Sequence, residues 1–401
     1  MSSPPSQFEV VRDPLWNNIR LEAEALAVID TPAFQRLRYV RQLGHAFLVY
    51  PGATHTRFEH ALGTYHLARR ATSELDIHLA ALLHDIGHYP FSHALEEAGL
   101  PRHETLAARH LRTGALAGAL ERLGVSADQL LQLIQGTSRS PFAGLVAGSL
   151  DVDKLDYLSR DARMCGVPYG VIDVDRLLTS LVFESGQVTL HAKGLAALES
   201  LLFAKYQMYR NVYWHHAVRS ATAMFKRMVR RAIAAGKISP DEIAIATDDG
   251  LSHELQQTDQ TGLARALRER RLAKRALDIP GTELPTDTAD WPSRDPDLLE
   301  RVEARLAREL HVHADQLFLD YPSKPEMLDV SMPIAGVLGL PRVATELHRS
   351  AQRLRLFVLE PIEVPARAIV ELVTWPREEI AARLENERGL LTGAGRSSAV
   401  S

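Results

Sequence analysis

The 401-residue sequence contains one cysteine, few aromatic residues and no long apolar run. Because Cys165 has no second cysteine to pair with, an intramolecular disulfide framework is excluded and a reducing compartment is favoured. The N-terminus lacks a basic region followed by an apolar core, and no apolar run approaches the length needed to cross a bilayer. We therefore expect a cytoplasmic protein without a membrane partner.

The sequence also lacks an excess of charge of one sign, since 46 Lys and Arg residues stand against 50 Asp and Glu residues. The net charge of −4 argues against a generally basic nucleic-acid binder, although local basic patches can still hold phosphate groups. Apolar residues make up 46% of the chain and charged residues 24%, which is typical of a mostly helical protein with a large core. Composition thus permits nucleic acid as a partner but does not indicate it.

Apolar periodicity predicts a mainly α fold with a small α+β region near the C-terminus. Residues 19–29 and 92–98 have helical patterns, and residues 193–231 have the pattern of one long helix. Residues 316–320 and 355–360 have the composition of short strands. We expect these strands to form the small sheet.

The densest group of polar side chains lies at residues 82–93, in the sequence LLHDIGHYPFSH. An apolar run leads into His84 and Asp85, and Gly87 and Pro90 prevent the stretch from continuing as one regular helix. Imidazole and carboxylate together suit zinc, iron, manganese or nickel better than calcium. The alternative interpretation is that His84 is an ordinary, partly buried histidine.

Two other segments offer further ligands to the same ion. His60 ends the polar segment 54–60, and an acidic cluster follows at Asp151, Asp153, Asp156 and Asp161. Helical spacing puts Asp153, Tyr157 and Asp161 on one face. A charged helix face usually contacts solvent, but two acids and a phenol in line beside Lys154 can also serve a metal and a polar substrate together.

Several motifs, taken in order, resemble the HD-domain phosphohydrolase superfamily. They are DTPAFQRLR at 30–38, QLG at 42–44, PGATHTRFEH at 51–60, LHDIGHYPFSH at 83–93, DVDKLDY at 151–157 with RD at 160–161, and YQMY at 206–209 with Tyr213. The resemblance runs over residues 13–225. Within the superfamily, the sequence is similar to the deoxynucleoside triphosphate triphosphohydrolases.

The resemblance implies a divalent metal ion (Mn, Fe, Mg, Zn or Ni) held by His60, His84, Asp85 and Asp153. In this family the ligand of the acidic run is the second aspartate, directly before the lysine. That position is Asp153, which is also the residue that shares a helix face with Tyr157.

The resemblance further implies catalytic or α-phosphate roles for His88, His93 and His103. We expect His103, backed by Glu104, to act as acid or base. A His–Glu pair at a helix start can also simply cap the helix.

Other positions match substrate contacts of the family. Those matched to the triphosphate are Arg57, Lys154 and Lys205, and those matched to the sugar are Gln42, Leu43, Tyr157, Asp161 and Tyr213. Lys205 stands where mammalian members often have Arg. A tyrosine packed against ribose C2 would exclude a 2′-hydroxyl sterically, which predicts a preference for deoxynucleotides.

Three residues near the N-terminus match an activating site in which a mammalian member reads a guanine. They are Asp30, Gln35 and Arg38, whereas Glu9 stands where that member has Lys. The resemblance therefore implies an activating nucleotide, and it also implies a homo-oligomer, a tetramer or a hexamer.

The expected organisation has four parts: a disordered lead (1–8), an HD-domain core (9–235), a C-terminal helical and α+β region (236–388) and a disordered tail (389–401). The expected reaction converts a dNTP to a deoxynucleoside and inorganic triphosphate by attack on the α-phosphorus. A second interpretation is an HD-type phosphohydrolase acting on nucleoside monophosphates, cyclic nucleotides or guanosine polyphosphates. A third is a nucleotide-sensing or nucleic-acid-binding scaffold.

Overall fold

A computed structural model describes residues 8–184, 187–323, 325–328 and 340–391. The helices are α1 (Ala23–Ile29), α2 (Pro32–Gln35), α3 (Arg57–Ala71), α4 (Leu75–Leu83), α5 (His103–Arg112), α6 (Gly114–Arg122), α7 (Ala127–Ile134), α8 (Val152–Cys165), α9 (Val174–Ser180), α10 (Leu195–Met208), α11 (His216–Ala234), α12 (Pro240–Ile245), α13 (Asp248–Thr258), α14 (Leu263–Arg268), α15 (Trp291–Arg294), α16 (Pro296–Glu309), α17 (Leu340–Ala351), α18 (Ala366–Leu372) and α19 (Arg377–Glu385). The strands are β1 (Phe8–Asp13), β2 (Asn17–Glu22), β3 (Leu181–Glu184), β4 (Gln187–Leu190), β5 (Lys274–Pro280), β6 (Leu317–Asp320) and β7 (Arg353–Val358). The prediction of a mainly α fold is confirmed. Within the described ranges, no helix combines the length and the apolar character that crossing a membrane requires.

The chain begins with an antiparallel hairpin of β1 and β2, in which Phe8 lies opposite Glu22. The predicted helix at 19–29 is wrong in its first part, because Ile19 and Leu21 are buried while Arg20 between them is exposed. Burial at every second residue is the period of a strand. Helix begins only at Ala23.

The long helix predicted at 193–231 is interrupted. α10 ends at Met208, a π-helical segment covers Tyr209–Tyr213, and α11 begins at His216. Inside the break, the N–H of Trp214 donates to the carbonyl of Tyr209 at 2.8 Å. The helix predicted at 92–98 is also wrong in extent, since only a 3-10 turn, Ser92–Ala94, forms there.

The C-terminal part contains a three-stranded antiparallel sheet in the order β5-β7-β6. The strands predicted at 316–320 and 355–360 are confirmed as β6 and β7 with shifted ends, while β5 was not predicted. A small α+β region is therefore present.

Buried apolar side chains form one core around α3, α4, α8 and α10 and a second core around α11. The second core contains Met228 and Val229 from one side of the predicted boundary at 235/236, and Ile243 and Leu251 from the other. A third core lies around the three-stranded sheet. The division of the chain at residue 235 stays a prediction.

The predicted disordered ends fall mostly outside the described residues, which leave out 1–7 and 392–401. Phe8, assigned to the lead, is the first residue of β1. Leu390, assigned to the tail, is buried, and its N–H donates to Glu309 Oε1 at 2.9 Å. Ordered structure therefore extends to both of these residues.

Candidate active site

Close packing of α3 against α8 creates the centre of the site. A capping box starts α3, in which the Thr56 N–H donates to Glu59 Oε2 at 2.6 Å, and His60 follows in the first turn. One turn further on, a Cβ at Gly63 would lie 1.8 Å from Asp156 Oδ1 of α8. A larger side chain at residue 63 would therefore displace the Asp156 carboxylate.

Four side chains from three segments converge next to this contact. His60 lies on α3, His84 and Asp85 follow the end of α4, and Asp153 lies in the first turn of α8. His60 Nε2 is 3.2 Å from His84 Nε2, 3.0 Å from Asp153 Oδ1 and 3.6 Å from Asp85 Oδ2. His84 Nε2 is 3.3 Å from Asp85 Oδ1 and 3.6 Å from Asp153 Oδ1. These are the four residues that the sequence resemblance assigned to a metal.

The hydrogen-bond partners of Nδ1 in His60 and His84 indicate that both rings direct Nε2 at the centre of the group. His60 Nδ1 lies 2.8 Å from Asp156 Oδ2, and His84 Nδ1 lies 2.8 Å from the carbonyl oxygen of Ala81. Because a carboxylate and a carbonyl only accept, each Nδ1 carries a proton, and a neutral ring then presents the lone pair of Nε2. Two lone pairs and two carboxylates directed at one another repel unless a cation lies among them. The donor set therefore fits a divalent metal ion.

The electrostatics of the site also favour positive charge. Burial alone would lower the pKa of His60, but hydrogen bonds to Asp153 and Asp156 and the charge of Asp85 outweigh it and raise the pKa to about 10. Burial would raise the pKa of Asp85, but the charge of Arg57 above all holds it well below its usual range. Without a metal ion, His60 itself therefore carries the positive charge that this point favours, and a bound divalent ion would take the place of its Nε2 proton.

Three cations lie around the convergent group. Arg57 Nη1 donates to Asp85 at 2.5 Å, and its Nη2 donates to Ser92 Oγ at 2.9 Å. Lys154 Nζ donates to Asp151 Oδ2 at 2.5 Å, and Lys205 is buried in the wall of the same cavity. Positive charge is therefore built into the walls next to the candidate metal centre.

A cluster of three histidines, His88, His93 and His103, lies next to the metal group. His88 stacks on His103 with ring centroids 3.8 Å apart and an interplanar angle of 19°. His103 Nδ1 is 2.6 Å from Glu96 Oε1, and His93 Nδ1 is 3.1 Å from Glu96 Oε2. Glu104, predicted to back His103, is 3.5 Å from His103 Nδ1.

The main carboxylate partner of His103 is therefore Glu96, which the sequence analysis missed. Glu104 bonds instead to Arg102 at 2.6 Å. Burial would raise the pKa of Glu96, but the charge of His93 and the hydrogen bond from His103 lower it, so Glu96 is ionised. The only signal in the sequence is that Glu96 follows His93 by three residues.

His88 is the most enclosed member of the cluster. Its side chain is fully buried, and its Nε2 lies 3.1 Å from Asp85 Oδ1. Burial, followed by the charges of Arg57 and His103, holds the pKa of His88 well below its usual range. The ring is therefore neutral at working pH.

Two tyrosines and an aspartate form a further wall. The Tyr213 hydroxyl donates to Asp161 Oδ2 at 2.7 Å, and His55 Nε2 lies 2.8 Å from Asp161 Oδ1. The rings of Tyr157 and Tyr213 are 6.4 Å apart. Burial above all raises the pKa of both phenols well above the usual range, so both stay protonated.

With the exception of the buried His55 and His60, the ligands, cations, clustered histidines and tyrosines described above border one cavity of about 860 Å³, a volume suited to a nucleotide. It is lined by the catalytic and substrate-binding residues that the sequence analysis predicted, namely Gln42, Leu43, Arg57, His88, His93, His103, Glu104, Lys154, Tyr157, Asp161, Lys205 and Tyr213. The α+β region contributes residues such as Pro292 and Tyr321 to the wall, which the sequence analysis did not predict.

The three residues matched to an activating site do not line this cavity. Asp30 is exposed at the end of α1, and Gln35 Nε2 donates to the carbonyl of Ile29 at 2.9 Å. Arg38 Nε donates to Gln35 Oε1 at 2.7 Å, and its guanidinium lies over the Phe58 ring at 3.5 Å. The structure thus brings Gln35 and Arg38 into contact on the surface.

Comparison with known proteins adds family information. The HD domain family model matches residues 57–161, and the model of the HD associated region matches residues 172–339. The uncharacterized protein MJ1154 of Methanocaldococcus jannaschii is 34% identical over 359 residues, which cover 87% of this chain and 76% of that protein. The deoxynucleoside triphosphate triphosphohydrolase SAMHD1 of Gallus gallus is 30% identical over 263 residues, or 52% of this chain and 43% of that enzyme. The chain therefore spans less than half the length of that enzyme.

A solved structure has the same fold over most of the chain. The crystal structure of a hypothetical protein from Aquifex aeolicus matches with a TM-score of 0.70 and 27% identity, covering 88% of this chain and 96% of that one. A phosphohydrolase from Bacteroides thetaiotaomicron, BT4208, matches with a TM-score of 0.69 at 20% identity. This second likeness concerns the fold alone.

Proposed function

Because the chain belongs to the HD-domain phosphohydrolase family, in its dNTPase-like subgroup, we propose that this metal-dependent hydrolase converts a dNTP to a deoxynucleoside and inorganic triphosphate. One observation supports this reaction most. A single cavity of about 860 Å³ combines convergent His and Asp ligands, three cations and two tyrosines. It therefore offers groups for the phosphates and for the sugar of the same substrate.

The proposed ligands of the metal ion are His60, His84, Asp85 and Asp153. A divalent ion, when bound, acts as a Lewis acid on a phosphoryl oxygen and lowers the pKa of water. Hydrogen bonds from neighbouring side chains orient two of these ligands, since Asp156 fixes the His60 ring and Arg57 fixes Asp85.

In the proposed reaction, the oxygen of water bonds to the α-phosphorus and the bond from phosphorus to O5′ breaks. The O5′ atom takes up a proton and becomes the 5′-hydroxyl of the deoxynucleoside, while triphosphate keeps the new oxygen. We assign the proton transfer to His103, whose Nδ1 is held by Glu96, so that Nε2 is the nitrogen that exchanges the proton. His88 and His93 are the proposed α-phosphate contacts beside it.

The proposed triphosphate contacts are Arg57, Lys154 and Lys205. A forked guanidinium and two ammonium groups suit phosphate oxygens, and they balance negative charge on the leaving triphosphate. Lys154 and Arg57 each bond to a carboxylate, so their side chains are already ordered before substrate binds. The entropy cost of ordering them on binding is therefore small.

The proposed sugar pocket consists of Gln42, Leu43, Tyr157, Asp161 and Tyr213. Asp161 accepts from Tyr213 and lies within hydrogen-bond distance of His55, so the Tyr213 ring is held firmly. A rigid ring against ribose C2 leaves no room for a 2′-hydroxyl. A second, activating nucleotide at Asp30, Gln35 and Arg38, and a homo-oligomeric assembly, are further parts of the proposal.

Product analysis tests the proposed function. Purified, metal-loaded protein is incubated with the four dNTPs, singly and mixed, and we expect deoxynucleoside and triphosphate in equal amounts. His84→Ala should abolish the release. His78→Ala is a matched control, because His78 lies on α4, the helix that leads into His84, does not line the cavity and lies 2.9 Å from the carbonyl oxygen of Thr72.

Other products would support the alternatives. Release of monophosphate or pyrophosphate would favour an HD-type phosphohydrolase with another nucleotide substrate. Salt-dependent oligonucleotide binding that is unaffected by His84→Ala, without any hydrolysis, would favour a binding scaffold.

A further inference from the structure

The turn between His88 and His93 has an unusual backbone. Phe91 and Ser92 both have a φ of 58°, in the left-handed region that side chains other than glycine rarely adopt. Such conformations persist where the surrounding structure holds them, and they are frequent at functional sites. Something must therefore fix this turn.

The carboxylate of Asp248, which lies outside the residues matched by the HD domain model, holds this turn. Asp248, the first residue of α13, is 2% exposed. Its Oδ1 accepts the N–H of Phe91 at 2.8 Å, and its Oδ2 accepts the N–H of Arg41 at 3.1 Å and Arg41 Nη1 at 3.3 Å. One side chain thus binds two separate backbone segments that border the cavity.

These two segments carry proposed substrate contacts. Arg41 directly precedes Gln42 in the chain, and Ser92 Oγ lies 2.9 Å from the carbonyl oxygen of Gln42. The same Ser92 hydroxyl accepts from both Nε and Nη2 of Arg57. A shift of the turn would therefore move the guanidinium of Arg57 as well as the histidines on either side.

Arg36 connects the residues just before α13 to His88. Arg36 Nη1 donates to the carbonyl of Ala246 at 2.9 Å, and Arg36 Nη2 donates to the carbonyl of His88 at 2.8 Å. The turn is also tightly enclosed, because a Cβ at Gly44 would lie 2.9 Å from the carbonyl oxygen of Phe91. The turn therefore has little freedom unless Asp248 releases it.

We propose that Asp248 is a positioning residue that holds the Phe91–Ser92 turn and, through it, Arg57, His88 and His93 in the geometry that hydrolysis needs. Asp248 does not line the cavity and acts on the reaction through the two backbone segments that it binds. The activity assay for this inference rests on the proposed function. The backbone conformation of the turn provides a second readout, which is independent of the proposed function.

Asp248→Asn is the most informative change. The amide keeps the size of the carboxylate but has one acceptor oxygen, so its NH₂ group must face the N–H of either Phe91 or Arg41. Displacements of about 1 Å at a catalytic group can lower rates by about 100-fold. We expect kcat to fall at least about tenfold.

Two variants on the same helix control for charge and stability. Asp249→Asn removes an exposed carboxylate from the same first turn and should leave kcat unchanged. Leu251→Ala removes a buried apolar side chain of the same helix but none of the hydrogen bonds made by Asp248, so it lowers stability but should leave kcat unchanged well below its Tm. Asp248→Glu, which keeps the charge, should give a smaller loss of kcat and is the variant to assay if Asp248→Asn does not fold.

A crystal structure of Asp248→Asn completes the test. A shifted turn, together with the loss of kcat, is the expected result. An unchanged turn with wild-type kcat, or equal losses of kcat in Leu251→Ala and Asp248→Asn, would overturn the inference. If the wild-type protein releases no deoxynucleoside but the turn is shifted in the Asp248→Asn structure, the proposed function fails. The role of Asp248 in holding the turn then still stands.

Discussion

At the scale of single residues, Glu96 and Glu104 are the two candidates for the carboxylate partner of His103. Both are acidic and both lie close to His103, yet only Glu96 is within hydrogen-bond distance, at 2.6 Å from Nδ1. Glu104 has its own partner in Arg102. A histidine that transfers protons depends on the carboxylate that sets its tautomer.

Glu96→Gln should therefore lower kcat by about 10- to 100-fold, the range typical of a lost carboxylate partner behind a metal-binding imidazole. Glu104→Gln, the matched control, should have a much smaller effect. Steady-state kinetics at saturating dNTP measure both variants. A larger loss of kcat in Glu104→Gln than in Glu96→Gln would show that the assignment is wrong.

Tyr213 should control the choice between deoxyribose and ribose. Tyr213→Ala removes the ring and opens space beside the sugar, so we expect the ratio of kcat/KM for GTP to that for dGTP to rise by at least about tenfold, or about 1.4 kcal/mol of discrimination. Tyr213→Phe removes only the hydroxyl that bonds to Asp161 and should keep most of the discrimination. An unchanged ratio in Tyr213→Ala would exclude the ring as the selective element.

The residue scale also shows what sequence could predict. His60, His84, Asp85 and Asp153 were predictable because a motif fixes their spacing, and the structure brings them together. Glu96 and Asp248 were not predictable, because their contacts depend on the left-handed turn at Phe91 and on a helix more than 150 residues away from it. Such contacts leave no local pattern in the chain.

At the scale of elements, α8 both lines the cavity and connects the site to the N-terminal hairpin. One face carries Asp153, Tyr157 and Asp161, as helical spacing predicted. The neighbouring Asp156 and Arg160 bond to each other at 2.8 Å, and Arg160 Nη1 also donates to Asp13 of β1 at 2.8 Å. The hairpin of β1 and β2 is thus tied to the helix that carries a proposed metal ligand.

Acid should weaken this connection in the metal-free protein. Burial would raise the pKa of Asp156, but the charge of Arg160 and the hydrogen bond from His60 hold it below its usual range. A lowered folded pKa means that the stabilisation is present above the unfolded pKa of about 3.9 and is lost as the pH falls below it. Acid therefore removes the advantage of the carboxylate over a neutral side chain.

Asp156→Asn should lower the free energy of unfolding by about 2 kcal/mol at pH 7, the scale of a buried hydrogen bond to a charged group. Urea unfolding should show this difference shrinking as the pH falls below about 4. Asp128→Asn is the control, since Asp128 is exposed and pairs with an exposed Arg112. A difference that stays constant down to pH 2 would contradict this assignment.

Elements also show where local pattern misleads. The apolar pattern of 193–231 continues through the break, and only the structure shows the π-helical segment Tyr209–Tyr213. Tyr209 and Tyr213, the first and last residues of this segment, both line the cavity. Tertiary contacts override helical propensity there.

At the scale of the whole molecule, the cavity is a joint product of the helical core and the region that follows it. The motifs that predicted the site lie within residues 13–225, yet Asp248 and part of the cavity wall come from later residues. Arg219 of α11 also bonds to Asp320 of β6 at 2.6 Å and to Glu97 at 2.9 Å. Sequence predicted the chemistry of the centre, while packing between distant segments decides its shape.

Hydrolysis of a dNTP in H₂¹⁸O tests the proposed reaction most directly, because it reports which bond breaks. Attack of water on the α-phosphorus predicts one ¹⁸O atom in the released triphosphate and none in the deoxynucleoside, measured by mass spectrometry of both products. Label in the 5′-hydroxyl of the deoxynucleoside, or release of labelled monophosphate or pyrophosphate in place of triphosphate, would contradict it.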